Sequence, residues 1–337
     1  MVSMRIAIVK LSALGDIVHA MIILQFIKKF DQKILIDWIV EDNFKELVDF
    51  HPHINEVHIV NLRKAKKKKS LFILLEEFKR IRNLDPYDLV IDMQGLLKSA
   101  IIARIIPSTI TLGFDKTSAR ESVASIFYNK KFKYSYSENV IERNFELIKF
   151  ALEIPINKER IKHKLPFLFA NQEYNLSILS STKKNVILIP GASHVSKRYS
   201  PENFSQLTNF LDVNYLIIWG SGEEKLIAEK IKNLSPKVNI CERMTISSLI
   251  SLFSKVDLVI GPDTGPTHIA WALNIPSLTL FGPTPGYRNT YVTNNNKIIE
   301  SNSTVNPYKI RNNDYSINNI SSENILEVAR KLLKLKR

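Results

Sequence analysis

The chain is written in short apolar runs separated by longer stretches with a helical repeat. Arg5–Lys10, Ile34–Val40, Val57–Val60, Leu89–Asp92 and Thr109–Gly113 read as strands, followed by Val186–Ile189, Tyr215–Trp219, Val238–Ile240, Leu258–Ile260 and Ser277–Phe281. Ile17–Phe30, Leu71–Arg82, Val140–Leu152, Pro201–Leu211 and Lys225–Leu234 carry apolar residues at helical spacing, and so does a last helix over 322–336. Alternation of this kind, met twice, predicts an α/β protein of two doubly wound parallel-sheet domains, each offering a crevice at the carboxyl ends of its strands. Weak periodicity and two prolines between Ile154 and Thr182 place the border there, giving domains 1–165 and 166–337. The final helix packs on the body of the protein, with packing back toward the N-terminal domain left open. The Asn/Ser-rich piece 293–319 reads as loops.

Length agrees with two domains, since 337 residues exceed one ordinary core. No run approaches the roughly 20 apolar residues of a spanning helix, and the start reads as a short strand rather than a signal peptide, so a cytoplasmic location is expected. The single cysteine, Cys241, stands in no metal-ligand spacing. The net charge of +14 asks for an anionic partner: nucleic acid, an acidic membrane surface or a phosphorylated small molecule. Its densest part, Arg63-Lys64-Ala65-Lys66-Lys67-Lys68-Lys69, is either a solvated loop or a group that meets anionic lipid. With no aromatics interleaved, it is a poor platform for single-stranded nucleic acid, and no nucleic-acid partner is expected.

Three turns have chemical character. Gly261-Pro262-Asp263-Thr264-Gly265-Pro266-Thr267-His268 joins an apolar strand to a helix start, where backbone N–H groups, Thr264, Gly265 and His268 outline an anion cradle. Pro190-Gly191-Ala192-Ser193-His194 leads to Lys197, a point charge suited to a leaving pyrophosphate, while Ser193 can donate to phosphate oxygens. In Lys10-Leu11-Ser12-Ala13-Leu14-Gly15-Asp16 a carboxylate follows the first strand. It is either a helix cap or a ligand-facing general base. Neither GxxxxGK[ST] nor GxGxxG occurs in these turns, which argues against a P-loop and a dinucleotide site. Trp219-Gly220-Ser221-Gly222-Glu223-Glu224 supplies a carboxylate for a ribose or for simple capping.

Val9 to Asp16, Ile91-Asp92-Met93-Gln94-Gly95-Leu96-Leu97-Lys98-Ser99-Ala100, Gly113-Phe114-Asp115 with Ser118-Ala119-Arg120-Glu121 and Ala124 to Asn129, and Asp263-Thr264-Gly265 with His268 together resemble the lipopolysaccharide heptosyltransferases, within them the type that adds the first inner-core heptose. The resemblance implies a GT-B fold and an inverting transfer of L-glycero-D-manno-heptose from ADP-heptose to the Kdo of Kdo-lipid A, with a sister transferase for the second heptose or another core sugar as the alternative. It implies Asp16 as base and Lys197 on the departing ADP. Ser193, Glu223, Met244, Asp263, Thr264, Gly265 and His268 would bind the donor, with the ribose role open among Gly222, Glu223 and Glu224. Lys10, Ser12, Gln94, Lys98 and Arg120 would face the acceptor. It implies no cofactor, and the absence of Asp-x-Asp implies no metal. The enzyme would sit peripherally on the anionic cytoplasmic face of the inner membrane. Two departures stand out: the turn 190–194 lacks the family's threonines, and Tyr199-Ser200-Pro201 replaces its Trp-Pro.

Overall fold

The computed structural model describes residues 3–171 and 175–335, so residues 1–2 at the expected first strand, part of the 154–182 border and the end of the last helix lie outside the described residues. The chain divides into two compact units, one up to Phe167 and one from Leu168. The first contains β1 (Arg5–Val9), β2 (Leu35–Glu41), β3 (Glu56–Val60), β4 (Tyr87–Asp92), β5 (Ser108–Phe114) and β6 (Lys130–Phe132) in the order β3-β2-β1-β4-β5-β6. The second contains β7 (Asn185–Leu188), β8 (Asn214–Ile217), β9 (Val238–Ile240), β10 (Leu258–Pro262), β11 (Ser277–Phe281) and β12 (Asn296–Glu300) in the order β12-β11-β10-β7-β8-β9. Every pairing in both sheets is parallel.

The sequence dictates this arrangement through burial on both faces. Ile6, Ala7, Ile8 and Val9 of β1 are fully buried, as are Val186, Ile187 and Leu188 of β7, because helices cover each side of a parallel sheet. In the first unit, one face packs Val9, Ile39 and Val90 under Ile81, Ile102 and Ile106. In the second, Leu188, Ile260 and Leu280 meet Phe204 and Leu207 of the helix Pro201–Leu207. The helix Ser322–Leu333 adds Ile325, Leu326, Ala329 and Leu333 to that same core, so its apolar face is buried within the second unit. Tyr199 joins this core as well: its ring meets Phe204 edge-on at 5.2 Å and its hydroxyl donates to the Ile320 carbonyl at 2.8 Å. Ser200 then caps the helix that follows. The Tyr-Ser-Pro departure is thus a packed and capped helix entry.

Several expectations are corrected. Residues 63–69 are not a loop: Leu62–Lys68 is a helix, closed by Lys69 at φ 48°, and the Ser70 hydroxyl caps the helix Leu71–Arg82. Ile17–Phe30 is two helices, Leu14–Met21 and Ile23–Phe30. The stretch 293–319 contains the edge strand β12, and β6 is a further edge strand that the sequence pattern does not predict; both are short and of mixed polarity, where only one neighbour sets the pattern.

Gly113 near the end of β5 has no room for a side chain. A β-carbon there would stand 2.4 Å from the ring of buried Tyr128. Gly113→Ala should therefore lower the stability of the first unit by about 1–3 kcal/mol, read as a drop in its thermal midpoint; an unchanged midpoint would show that Tyr128 can move aside.

Candidate active site

In a parallel sheet of this strand order the connections from the two central strands leave in opposite directions, opening a crevice at their carboxyl ends. Those strands are β1 and β4 in the first unit, and the turns following them hold most of the acceptor-side residues. Gln94 spans the gap: its Oε1 accepts from the backbone of Leu11 at 2.8 Å and of Ser12 at 3.3 Å, and its Nε2 lies 3.4 Å from the Ser12 hydroxyl. Lys98 donates to the same hydroxyl at 3.2 Å. Lys10 is buried and its ammonium donates to the Met93 carbonyl at 2.9 Å, so it ties the two turns together. Asp16 sits half-buried in the first turn of Leu14–Met21 and accepts from the Ala13 N–H at 3.3 Å. Both readings left open by the sequence are compatible with that position. A carboxylate that contacts only a helix N-terminal turn can also meet a ligand. Arg120 is exposed, with its backbone beside Gly95.

Beneath this rim lies Asp92, fully buried at the end of β4 and not assigned a role from sequence. Its Oδ1 accepts from the backbone of Gln94 at 2.8 Å and Gly95 at 3.2 Å; its Oδ2 lies 2.8 Å from the Ser99 hydroxyl and 2.7 Å from that of Tyr128. Gly95 takes φ 67°, a left-handed turn that glycine adopts at least cost. Burial pushes the Asp92 carboxyl up, and these four donors only partly offset it. The turn carrying Gln94 and Lys98 is therefore fixed from below by a carboxylate.

The second unit repeats the geometry at β7 and β10. Lys197, in the turn after β7, places its ammonium 2.9 Å from Asp263 Oδ2, and both side chains are almost wholly buried. Thr284 and Asn289 donate to that same oxygen, each at 3.0 Å, while His268 Nε2 lies 3.2 Å from Oδ1. Burial alone would raise the Asp263 carboxyl. The Lys197 charge and His268 outweigh it and hold the group well below the usual carboxylate range. Thr264 and Gly265 open the helix Gly265–Ala272, whose first N–H groups lack intrahelical partners by geometry. Gly261 is required just before: a β-carbon there would come within 2.7 Å of Ile189.

The remaining donor-side residues are less concentrated. Ser193 is exposed in the loop that leads to Lys197. Glu223 is exposed and paired with Arg198, the neighbour of Lys197. Glu224 accepts from the Gly220 N–H at 2.7 Å and lies against Gly191, so it holds two turns together. Met244 is half-buried in the turn after β9. At the opposite, amino edge of the first sheet, Asp37, Glu56 and His58 bring donor atoms within 4.8 Å of one another. That cluster is already occupied by the protein, since Arg5 and the Tyr87 hydroxyl each meet Asp37 at 2.7 Å.

With this geometry in hand, the comparison with known proteins is direct. Residues 76–316 match the model of glycosyltransferase family 9 (heptosyltransferase). The chain belongs to that family. It is 36% identical to lipopolysaccharide heptosyltransferase 1 of Campylobacter coli over 98% of this chain and 99% of the relative. It is 27% identical to lipopolysaccharide heptosyltransferase 1 of Escherichia coli K12 over 86% and 92%. Among solved structures, E. coli heptosyltransferase WaaC with ADP superposes with a TM-score of 0.80 at 23% identity, covering 98% of this chain and 100% of that one. The fold is GT-B, two Rossmann-like domains in series.

The Lys197–Asp263 pair yields a pH prediction. A carboxyl depressed by folding stabilises the protein above its unfolded pKa, about 3.9, and that contribution fades as pH falls through the folded value. Asp263→Asn, which strands a buried ammonium, should cost about 3 kcal/mol near neutrality. It should also flatten the loss of stability below about pH 4. Urea unfolding followed by tryptophan fluorescence across that range reads both, and a variant as stable as the parent at pH 7 would refute the pairing.

Proposed function

We propose that the protein is the inverting transferase that moves L-glycero-D-manno-heptose from ADP-heptose to the Kdo of Kdo-lipid A. One observation carries the substrate assignment: the near-full-length similarity to lipopolysaccharide heptosyltransferase 1. The geometry supports the roles. In the second unit, the N-terminus of Gly265–Ala272 with Lys197 is a positive corner for the diphosphate, as helix N-termini favour phosphate. Ser193 adds a hydroxyl, Glu223 meets the ribose, Met244 lies against the adenine, and Asp263 with His268 holds the heptose while fixing Lys197. In the first unit, Ser12, Gln94, Lys98 and Arg120 receive the acceptor's carboxylate and phosphates, and Lys10 braces them from below.

Asp16 takes the proton of the attacking Kdo hydroxyl. The oxygen forms its bond to the anomeric carbon as the bond from that carbon to the ADP oxygen breaks, with inversion. Lys197 meets the charge that develops on the departing diphosphate. This assigns no role to a metal ion, since Lys197 and the N-terminus of Gly265–Ala272 supply positive potential where the diphosphate would sit. No cofactor is needed beyond the donor. The basic balance serves the phosphate-bearing acceptor rather than nucleic acid. Among the described residues no helix is long and apolar enough to cross a membrane, and the reading places the enzyme peripherally at the cytoplasmic face of the inner membrane.

Incubation with ADP-heptose and either heptose-free Kdo-lipid A or the monoheptosylated form tests the reading by mass. A gain on the first is expected, and a gain only on the second would reassign the enzyme to the second heptose. Asp16→Ala should lower turnover by at least about 10²-fold with donor affinity little changed; near-normal turnover would remove Asp16 as base. Lys197→Ala should lower the rate more than ground-state donor binding, and equal losses would make it a binding residue only. EDTA should leave the rate unchanged.

A further inference from the structure

The apolar stripe of the helix Leu71–Arg82 is buried at its C-terminal end only. Phe78 and Ile81 pack on the core of the first unit, but Leu71 and Leu75, on the same side of the helix as Phe78 by the 3.6-residue period, and the neighbouring Phe72 are 75%, 63% and 72% exposed, Leu71 and Phe72 being the most exposed large apolar side chains among the described residues. Directly before them, on the helix Leu62–Lys68 and its cap, come exposed Arg63, Lys64, Lys66, Lys67, Lys68 and Lys69, with no acidic residue between Arg63 and Leu75. Exposed apolar side chains grouped in this way mark an interaction surface. Flanked by cations on one side, this one is complementary to an anionic lipid headgroup layer with hydrocarbon just beneath.

Topology says which way this face looks. The helix Leu62–Lys68 begins where β3 ends, at the carboxyl edge of the sheet, and Leu71–Arg82 returns toward the amino end of β4, so its first turns lie at the carboxyl edge. A further exposed apolar side chain stands at that edge, Leu97 at the start of the helix after β4. The edge also carries the Ser12, Gln94 and Lys98 cradle.

We propose that Leu71, Phe72 and Leu75 insert into the surface of an anionic phospholipid bilayer, held there by the flanking lysines, and that this sets the carboxyl edge of the first unit toward the membrane. The purpose given to this surface rests on the lipid-borne acceptor proposed above; its existence does not. Docked in this way, the enzyme meets an acceptor whose sugar projects from the bilayer, without extracting its acyl chains.

The test uses the full chain with vesicles of phosphatidylcholine alone or with about a third phosphatidylglycerol, the anionic surface the lysines would attract. Expected are binding to the anionic vesicles that weakens with salt, and at least about a tenfold loss of affinity in Phe72→Ser/Leu75→Ser, whose charge is unaltered. Substituting Lys66, Lys67, Lys68 and Lys69 with Gln should erase the preference for anionic over neutral vesicles. In Phe72→Trp, emission should shift to the blue and be quenched by brominated phospholipid. Undiminished binding by the serine variant, no quenching at Trp, or conversion by the serine variant of a dimer into monomers would overturn the proposal, the last by giving the face to a second copy of the chain. Heptose transfer to a de-acylated, water-soluble Kdo acceptor separates the two claims. Parent and serine variant should act on it equally, while only the variant loses rate on vesicle-embedded acceptor. A parent inactive on every acceptor sinks the functional reading, and the vesicle measurements then still decide the surface.

Discussion

Everything chemical in this chain hangs on a constraint of parallel sheets: where strand order reverses, the turns after two neighbouring strands are left without a crossover between them, and side chains from distant parts of the sequence converge there. The protein meets that constraint twice, beside β1 and β4 and again beside β7 and β10. At both places a buried aspartate stands at the end of the second strand of the pair, Asp92 in one unit and Asp263 just past β10 in the other. The two have the same topological address and opposite electrostatics. Asp92 is met only by neutral donors, two backbone N–H groups and the hydroxyls of Ser99 and Tyr128, and burial pushes it up. Asp263 is met by an ammonium, and the attraction overrides burial.

That difference sorts structure from chemistry. A neutral-donor cage makes Asp92 a rigid post: it fixes the left-handed Gly95 turn and hence the placement of Gln94 and Lys98, without itself reaching a ligand. The ionic cage makes Asp263 a spring-loaded partner. A buried ammonium paired with one carboxylate is costly to strand but is readily shared with a second anion, which a diphosphate arriving at the neighbouring helix N-terminus would be. If Lys197 acts on the donor as proposed, holding it in place beforehand would remove the rotamer entropy of a lysine from the chemical step, the form of preorganisation that favours the transition state.

How much of this was readable in advance follows from sequence distance. Contiguous motifs declared the turns: Asp263 to His268, the loop to Lys197, and Lys10 to Asp16 each lie within one strand-to-helix junction, and the resemblance to a known family rested on such blocks. The partners that complete the cages were not legible. Tyr128 stands in one resemblance block and Asp92 in another, 36 residues apart, so neither block tells of their bond, and Thr284 and Asn289, 21 and 26 residues from Asp263, stand in no block at all. Gly113 stands in another such block, and what requires a glycine there is the ring of Tyr128, distant in sequence. The same limit hid the edge strands β6 and β12, where a single neighbour leaves the alternation weak. The lysine tract, open from its sequence to a solvated loop or a lipid-facing group, shows the converse: charge conceals a helix because Ala65 is its only buried residue.

The lysine tract also shows why composition alone misdirects. A net charge of +14 fits many partners, and spread evenly it would favour none. Folding resolves it by position. Lys10 and Lys197 are drawn inside, against a carbonyl and a carboxylate, where each shapes a site, while Arg63 and Lys64 through Lys69 stay outside beside an apolar helix face. Interior cations act over single bond lengths on one ligand group. Exterior ones act over roughly a Debye length, near 8 Å at physiological salt, on a surface. On the proposed reading, a transferase that joins a soluble nucleotide sugar to a lipid-borne acceptor needs both ranges, and the fold would supply them from one sheet edge in each unit.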